Sequence, residues 1–210
     1  MKIILTGGAG FIGSCFLRTL NDAGITDVIV VDNLNSEDKK ENLKGKTFIA
    51  YYDKLDFLSR LDGILGVTHV VHLGACASTT QPDVDYLRVN NVEYSMRLIE
   101  YSVKVGASFI YASSAATYGL GEKGFDDNLL PCELSPLNAY GVSKNLVDEF
   151  VLKANVKPKQ VVGLKFFNVY GPNENHKNGM YSMVFQGFNQ VASSGKIRLF
   201  KSNCDGIADG

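Results

Sequence analysis

Tyr140 and Lys144 stand four residues apart in Tyr140-Gly141-Val142-Ser143-Lys144, a spacing that puts two side chains on one face of a helix. A phenol titrates near ~10 and is a poor base at neutral pH. An ammonium group a few Å away stabilises the phenolate and lowers that value, which suits the pair to moving a proton on or off an alcohol. The same spacing also occurs on ordinary solvated helices, so the rest of the chain must supply a reactant.

Gly7-Gly8-Ala9-Gly10-Phe11-Ile12-Gly13 supplies the first support. Gly7 permits a tight turn, Gly10 lets backbone approach a pyrophosphate, and Gly13 allows close helix packing. The helix that follows offers free N–H groups and positive potential to phosphates. Asp32 follows Gly13 by 19 residues at the end of the second strand, where its carboxylate would accept from ribose hydroxyls and point to NAD. Asn33, Lys39 and Lys54 offer an alternative, binding a 2′-phosphate and favouring NADP. Residue chemistry leaves that choice open. Ser113 and Ser114 come after an apolar strand, at the carboxyl end where ligands of a parallel sheet bind.

The elements that must position these groups are legible in the apolar pattern. Lys2–Thr6, Val28–Val31, Thr47–Tyr51, Thr68–Leu73, Ser108–Ala112 and Gln160–Phe166 read as strands. Between them Phe11–Ala23, Asp53–Leu61, Asp83–Val105 and Asn138–Ala154 read as helices, with a last one over Tyr181–Ser193. Asn35–Lys46, Gly74–Gln81, Ser113–Pro136 and 168–178 read as loops, the first with room for a helical turn. Alternating apolar strands and helices call for a parallel sheet covered on both faces, hence a doubly wound α/β (Rossmann) domain. The division expected is a dinucleotide domain over 1–167 and the start of a smaller C-terminal substrate region over 168–210. From Lys201 the chain is polar and ends without a closing strand or helix, which looks like a mobile tail or a truncation.

Lysine plus arginine number 21 against 22 acids, so no basic surplus argues for a nucleic-acid partner. No apolar run is long enough to span a bilayer, and the start lacks a leader pattern. Cys15, Cys76, Cys132 and Cys204 show no Cys-x-x-Cys spacing and read as reduced thiols of a cytoplasmic protein. His69, His72 and His176 form no zinc-type set with carboxylates, so no metal is expected. His72, inside the apolar strand, is expected to be a packed residue.

Taken together, Gly-x-x-Gly-x-x-Gly, Ser-Ser-x-x-x-Tyr-Gly and Tyr-x-x-x-Lys resemble the extended short-chain dehydrogenases that act on nucleotide sugars. Val31-Asp32-Asn33-Leu34, Gly74-Ala75-Cys76-Ala77-Ser78-Thr79-Thr80, Tyr111 to Gly119, and Phe166-Phe167-Asn168-Val169-Tyr170-Gly171-Pro172 with Glu174 and His176-Lys177 narrow the resemblance to the ADP-glyceromanno-heptose 6-epimerase family. Those motifs cover nearly the whole chain. The resemblance implies tightly held NADP, with NAD the lesser choice, an ADP-heptose substrate on the route to the lipopolysaccharide core, and a homo-oligomer. It assigns cofactor contacts to Gly7, Gly10, Phe11, Ile12, Gly13, Asp32, Asn33, Lys39, Lys54, Leu73, Gly74, Ala75, Cys76, Ala77, Asn90, Tyr140, Lys144, Val169 and Lys177. It assigns substrate contacts to Ser114, Asn168, Gly179, Gln186 and Phe200. Tyr140 and Lys177 become the two acid/base groups, assisted by Ser114 and Lys144.

The chain departs from the family pattern at Leu73, where some members carry a carboxylate, and at Gly179 and Gln186, where serine and histidine stand. It also lacks the later Arg-Asp-Phe-type stretch. Within the superfamily a hexose 4-epimerase or a 4,6-dehydratase is the alternative, the latter disfavoured by Ala115-Ala116 in place of an acid pair. Outside enzymes, the alternative is a cofactor-binding domain without catalysis, against which intact Ser114, Tyr140 and Lys144 argue.

Overall fold

The computed structural model describes residues 1–177, 179–202 and 206–208. Asn178 and Cys204, which belong to the expected loop and thiol set, lie outside the described residues. Six strands, β1 (Lys2–Thr6), β2 (Val28–Asp32), β3 (Ala50–Asp53), β4 (Val67–His72), β5 (Ser108–Ser114) and β6 (Val161–Phe166), pair in parallel throughout. Their order, β3-β2-β1-β4-β5-β6, starts at the centre, winds to one edge, then winds to the other. That is the doubly wound α/β fold expected from the alternation, with its switch point between β1 and β4, where a crevice forms past the strands' carboxyl ends.

Because side chains alternate along a strand, β1 feeds two cores. Ile3 and Leu5 join Leu17, Leu20, Val28 and Val30 on the face covered by α1 (Phe11–Asp22). Ile4 joins Ile29, Val70, Phe57, Leu98, Phe109 and Val147 on the other. That second face is covered by α3 (Lys54–Arg60), α5 (Tyr94–Val105) and α6 (Ala139–Lys153).

The structure differs from the sequence reading in five places. The strand expected over Thr47–Tyr51 is β3 at Ala50–Asp53, because its pairing with β2 begins only at Ile29 opposite Ala50. The expected loop after β2 contains α2 (Glu37–Leu43), whose N-cap Ser36 accepts from Lys39 N–H and whose first turn carries Glu37 and Asp38. An N-cap hydroxyl and early acids stabilise a helix without apolar periodicity. The long helix over 83–105 is broken into α4 (Val84–Leu87), a π-turn (Arg88–Glu93) and α5. Strand β5 runs two residues beyond Ala112, so Ser113 and Ser114 end a strand rather than begin a loop, and a 3₁₀ turn (Ala115–Tyr118) follows. The last helix, α7 (Met183–Ser194), starts two residues later than expected, capped by Ser182. No helix of the described residues is long and apolar enough to cross a membrane.

Candidate active site

The crevice at the switch point begins with the glycine loop. Gly7 has φ +70°, and a Cβ there would lie 2.6 Å from Gly74 N, so the β1 and β4 ends meet backbone to backbone. A Cβ on Gly13 would lie 2.0 Å from Gly7 O, which is why α1 can start directly against the turn. Gly10 caps α1 without a side-chain bond, and no acid sits in the first turn. The helix N-terminus therefore keeps its donors and positive potential for an anion.

One cleft gathers Gly7, Gly10, Phe11, Ile12, Gly13, Asp32, Asn33, Lys39, Lys54, Leu73, Gly74, Ala75, Ala77, Asn90 and Lys177. It also takes in Thr6, Val31, Tyr94 and His176, which sequence reasoning did not single out as cofactor residues. Tyr94 carries no signal in the sequence, whereas Thr6 ends the strand before the glycine loop and Val31 stood beside Asp32 in a motif. His176 stood beside Lys177 in a motif, and that adjacency was the available clue. Cys76 is not on the cleft wall: its backbone N–H and C=O are both bonded to the Asn91 side chain, at 2.8 and 3.1 Å.

Asp32, on the cleft wall, is also tied into the fold. Its Oδ2 accepts from Ala9 N–H at 2.9 Å, tying β2 to the glycine loop. Its Oδ1 accepts from Asn33 N–H and Lys39 Nζ, both at 2.8 Å. Lys39 Nζ also donates to Asn33 Oδ1 at 2.5 Å, so the acid at this end of the cleft is matched by a cation. Further along, Lys54 Nζ donates to Asn90 Oδ1 at 3.0 Å.

The loop bearing Lys177 is tied to the glycine loop by polar contacts. Asn173, in the left-handed region at φ 72°, donates to Ser14 Oγ at 2.9 Å. His176 Nδ1 lies 3.3 Å from Asn42 Nδ2, which itself donates to Ala9 O. Buried Glu174 accepts from Gly171 N–H, Ser182 N–H and the Ser182 hydroxyl at 3.1, 2.7 and 2.8 Å. Lys177 Nζ sits 4.9 Å from the centre of the Phe11 ring, within cation–π reach.

Tyr140 opens α6, whose N-cap Asn138 accepts from Gly141 N–H at 2.7 Å. The expected lowering of its phenol does not occur. Burial pushes Tyr140 above its ordinary value, and a hydrogen bond with Ser114 offsets only part of that rise. Lys144 is not the tuner that its spacing implied: its Nζ lies 5.9 Å from the Tyr140 ring centre and donates to Ala112 O at 2.8 Å. Burial brings Lys144 itself down to about 8, countered by the Asp148 carboxylate. The desolvation that decides both values is invisible in a four-residue spacing.

Ser114, Tyr140 and Lys144 do not line the cleft, nor do Asn168, Gly179, Gln186, Phe200 and half-buried Val169 among the described residues. Gln186 Nε2 donates to Tyr181 O at 2.9 Å, and Phe200 is exposed. His72 is packed, as expected, but within a polar chain. Gly74 N–H donates to Thr6 Oγ1, which lies 2.6 Å from His72 Nδ1, and His72 Nε2 lies 2.9 Å from Ser95 Oγ. Ser95 in turn donates to Asn91 O, which leaves the Nε2–H tautomer as the one that satisfies every partner. Burial and the nearby Lys144 hold His72 far down, at about 3, so it stays neutral.

Against known proteins, the pattern of the "NAD dependent epimerase/dehydratase family" matches residues 3–207. A curated protein named ADP-L-glycero-D-manno-heptose-6-epimerase, from Fusobacterium nucleatum, is 45% identical over 99% of this chain and 64% of its own length. The crystal structure of the Helicobacter pylori protein of that name superposes with TM-score 0.80 at 32% identity, covering 95% of this chain and 66% of that one. A UDP-glucuronic acid 4-epimerase from Bacillus cereus in complex with NAD superposes with TM-score 0.72 at 26% identity, covering 92% and 64%. The chain spans about two thirds of the length of the curated relatives it matches.

Proposed function

The chain belongs to the NAD dependent epimerase/dehydratase family, and on that footing we propose that it serves to invert C6 of the heptose in ADP-glyceromanno-heptose. The observation that carries this reading is the convergence of an uncapped α1 N-terminus, the glycine cradle and Lys177 on one cleft. The relatives' names supply the substrate. The cradle fits a dinucleotide: Gly7 and Gly13 leave no room for a Cβ, and the free N–H groups of α1 suit a pyrophosphate.

When bound, a nicotinamide dinucleotide supplies a reversible hydride acceptor on one face of the reacting carbon. That matters because a carbinol carbon with no adjacent carbonyl cannot be deprotonated directly by a protein base. The two epimers present their oxygens to a fixed face in different directions. Proton transfer requires heavy atoms within about 3 Å, so one group cannot serve both. Tyr140 holds the proton for one epimer, with Ser114 as partner to the same oxygen, and Lys177 holds it for the other. The raised Tyr140 phenol is protonated at neutral pH, which suits it to donate to an oxygen gaining charge. Lys144 anchors β5 and bears on the ribose.

The pairing of Asp32 with Lys39 favours NADP. Asn33 and Lys39 stand on the cleft wall beside Asp32, and an amide and an ammonium there are donors that a 2′-phosphate would take. Residues 1–167 act as the dinucleotide domain and 168–210 as part of the substrate region, with Asn168, Val169, Gly179, Gln186 and Phe200 toward the sugar nucleotide. The free thiols of Cys15, Cys76 and Cys132 accord with a cytoplasmic setting, a place in lipopolysaccharide core synthesis follows from the substrate, and the family resemblance favours a homo-oligomer.

Product identification from ADP-heptose, with a UDP-hexose as the competing substrate, tests the reaction. Tyr140→Phe and Lys177→Met should each lose most epimerisation; near-normal turnover in Lys177→Met sinks the two-group scheme. Heating the protein and identifying the released nucleotide decides between NADP and NAD.

A further inference from the structure

Three consecutive residues at the end of β5 are held by two side chains of α6. Tyr111 donates to Asp148 Oδ1 and Ser113 to Asp148 Oδ2, each at 2.7 Å. Between them, Ala112 O accepts from Lys144 Nζ at 2.8 Å. Asp148 lies four residues beyond Lys144, as Lys144 does beyond Tyr140, so all three share one helix face. Across the β5–β6 register, Lys165 stands opposite Ser113 and Gly163 opposite Tyr111. Lys165 Nζ donates to Asp148 Oδ2 at 2.6 Å and to Thr117 Oγ1 at 2.8 Å. Gly163 makes room for the phenol, since a Cβ there would lie 2.6 Å from the Tyr111 hydroxyl. Asp148 is 6% exposed, and a buried carboxylate with this many donors is matched rather than stranded.

We propose that Asp148 is a positioning residue for the Tyr140/Lys144 pair: one carboxylate locks the strand end that carries Ser114 and provides the standing negative charge against which buried Lys144 is kept as an ammonium ion. The inference rests on reading Tyr140 and Lys144 as functional groups, but its test does not require turnover. The groups that bear on Lys144 are Tyr140 and Asp148 from its own helix, His72 from β4, Cys76 from the loop after β4, and Lys165 behind Asp148. His72 is neutral and adds no charge. Lys165, paired with the same carboxylate, adds positive potential, so Asp148 is the larger and Cys76 the smaller of the groups that favour the charged form of Lys144. Lys144 is brought down by burial to about 8 with Asp148 in place; without the carboxylate only the smaller contribution of Cys76 opposes that burial.

The experiment is a ¹³C NMR titration of the chain labelled at lysine Cε, with the Lys144 signal assigned by its absence in Lys144→Arg. In Asp148→Asn the Lys144 titration should move to lower pH by about one unit or more. In Asp148→Glu, which restores the charge, it should move back toward the parent value. A purely structural role would alter melting without this shift and without this rescue. Should Asp148→Asn fail to fold because Lys165 is left unpaired, the Asp148→Asn/Lys165→Met double variant leaves no stranded ion and must show the downward move relative to Lys165→Met alone. A Lys144 titration unchanged in either folded variant overturns the proposal. Because the signal comes from Lys144 itself, the result holds whether or not the parent chain turns over ADP-heptose, so failure of the proposed reaction would be seen separately.

Discussion

The two outward windings of the sheet are built differently. Every residue of β2 is buried, and α1 buries five residues against the sheet. In β6 no residue is buried, and α7 buries only Gly187 while Phe188 and Val191 face outward among the described residues. The glycine loop is therefore positioned by packed apolar side chains, each contributing about 1.5–3 kcal/mol on burial. The segment with Lys177 is positioned by hydrogen bonds that Glu174 accepts and by the polar contacts of Asn173 and His176, each worth about 1 kcal/mol net. Two groups meeting in one cleft thus have supports of very different strength. The cofactor side is set by the fold, whereas the Lys177 side can be loosened without unfolding the rest.

Phe57→Ala attacks the strong side most directly. Phe57 is fully buried in the core under α3, so denaturant unfolding should show a loss of about 3–5 kcal/mol. Gly13→Ala comes next: a methyl 2.0 Å from Gly7 O must push α1 off the turn, costing about 1–3 kcal/mol and most of the dinucleotide affinity by calorimetry. Glu174→Gln should barely move the global midpoint, yet hydrogen exchange over 171–182 should rise, because an amide N–H₂ now faces donors. If that variant unfolds the chain as Phe57→Ala does, the contrast drawn here is wrong.

Acid should reproduce the Glu174 effect in the parent. Burial alone would raise this carboxyl, but donors from Ser182 and Gly171 outweigh it and hold the group below its ordinary 4.5. A depressed carboxyl stabilises the fold above its unfolded value, and that contribution is lost as pH falls through the lower folded value. Exchange over 171–182 should therefore increase below about pH 4.5 before the strands open. The smallest effect belongs to Phe188→Ala, 71% exposed, which should stay within about 0.5 kcal/mol of the parent.

The same contrast explains what could be read from the sequence. The limits of β1, the glycine loop and the start of α6 at Asn138 were legible because burial pattern, turn chemistry and capping agree there. Gly7, Gly10, Gly13 and Asp32 followed because a strand–glycine–helix junction has few ways to fold, whereas Leu73, Ala77, Asn90 and Lys177 came only from the family resemblance. Helix α2 was missed because its stability comes from Ser36 and early acids rather than an apolar stripe. The direction of the Tyr140 shift was missed because spacing encodes adjacency and not desolvation. Asp148 was overlooked because a lone acid on a helix ordinarily reads as solvated. On the β6 side the polar contacts join residues far apart in the chain, such as His176 with Asn42, and nothing local announces them.

The π-turn between α4 and α5 sets an offset in the helix that contains it. One extra residue in a turn rotates everything after it by about 100° relative to a regular α-helix. Within the turn, neighbouring Asn90 and Asn91 point different ways, as adjacent helical residues do, one to the cleft and one to the buried link with Cys76 and Ser143. The rotation sets the phase in which Leu98, Ile99 and Tyr101 reach the core. Deleting one residue within Arg88–Glu93 would leave a more regular helix, with better hydrogen bonds along its length. The same deletion would turn those three side chains away from the sheet, so the local gain would be a loss for the whole molecule.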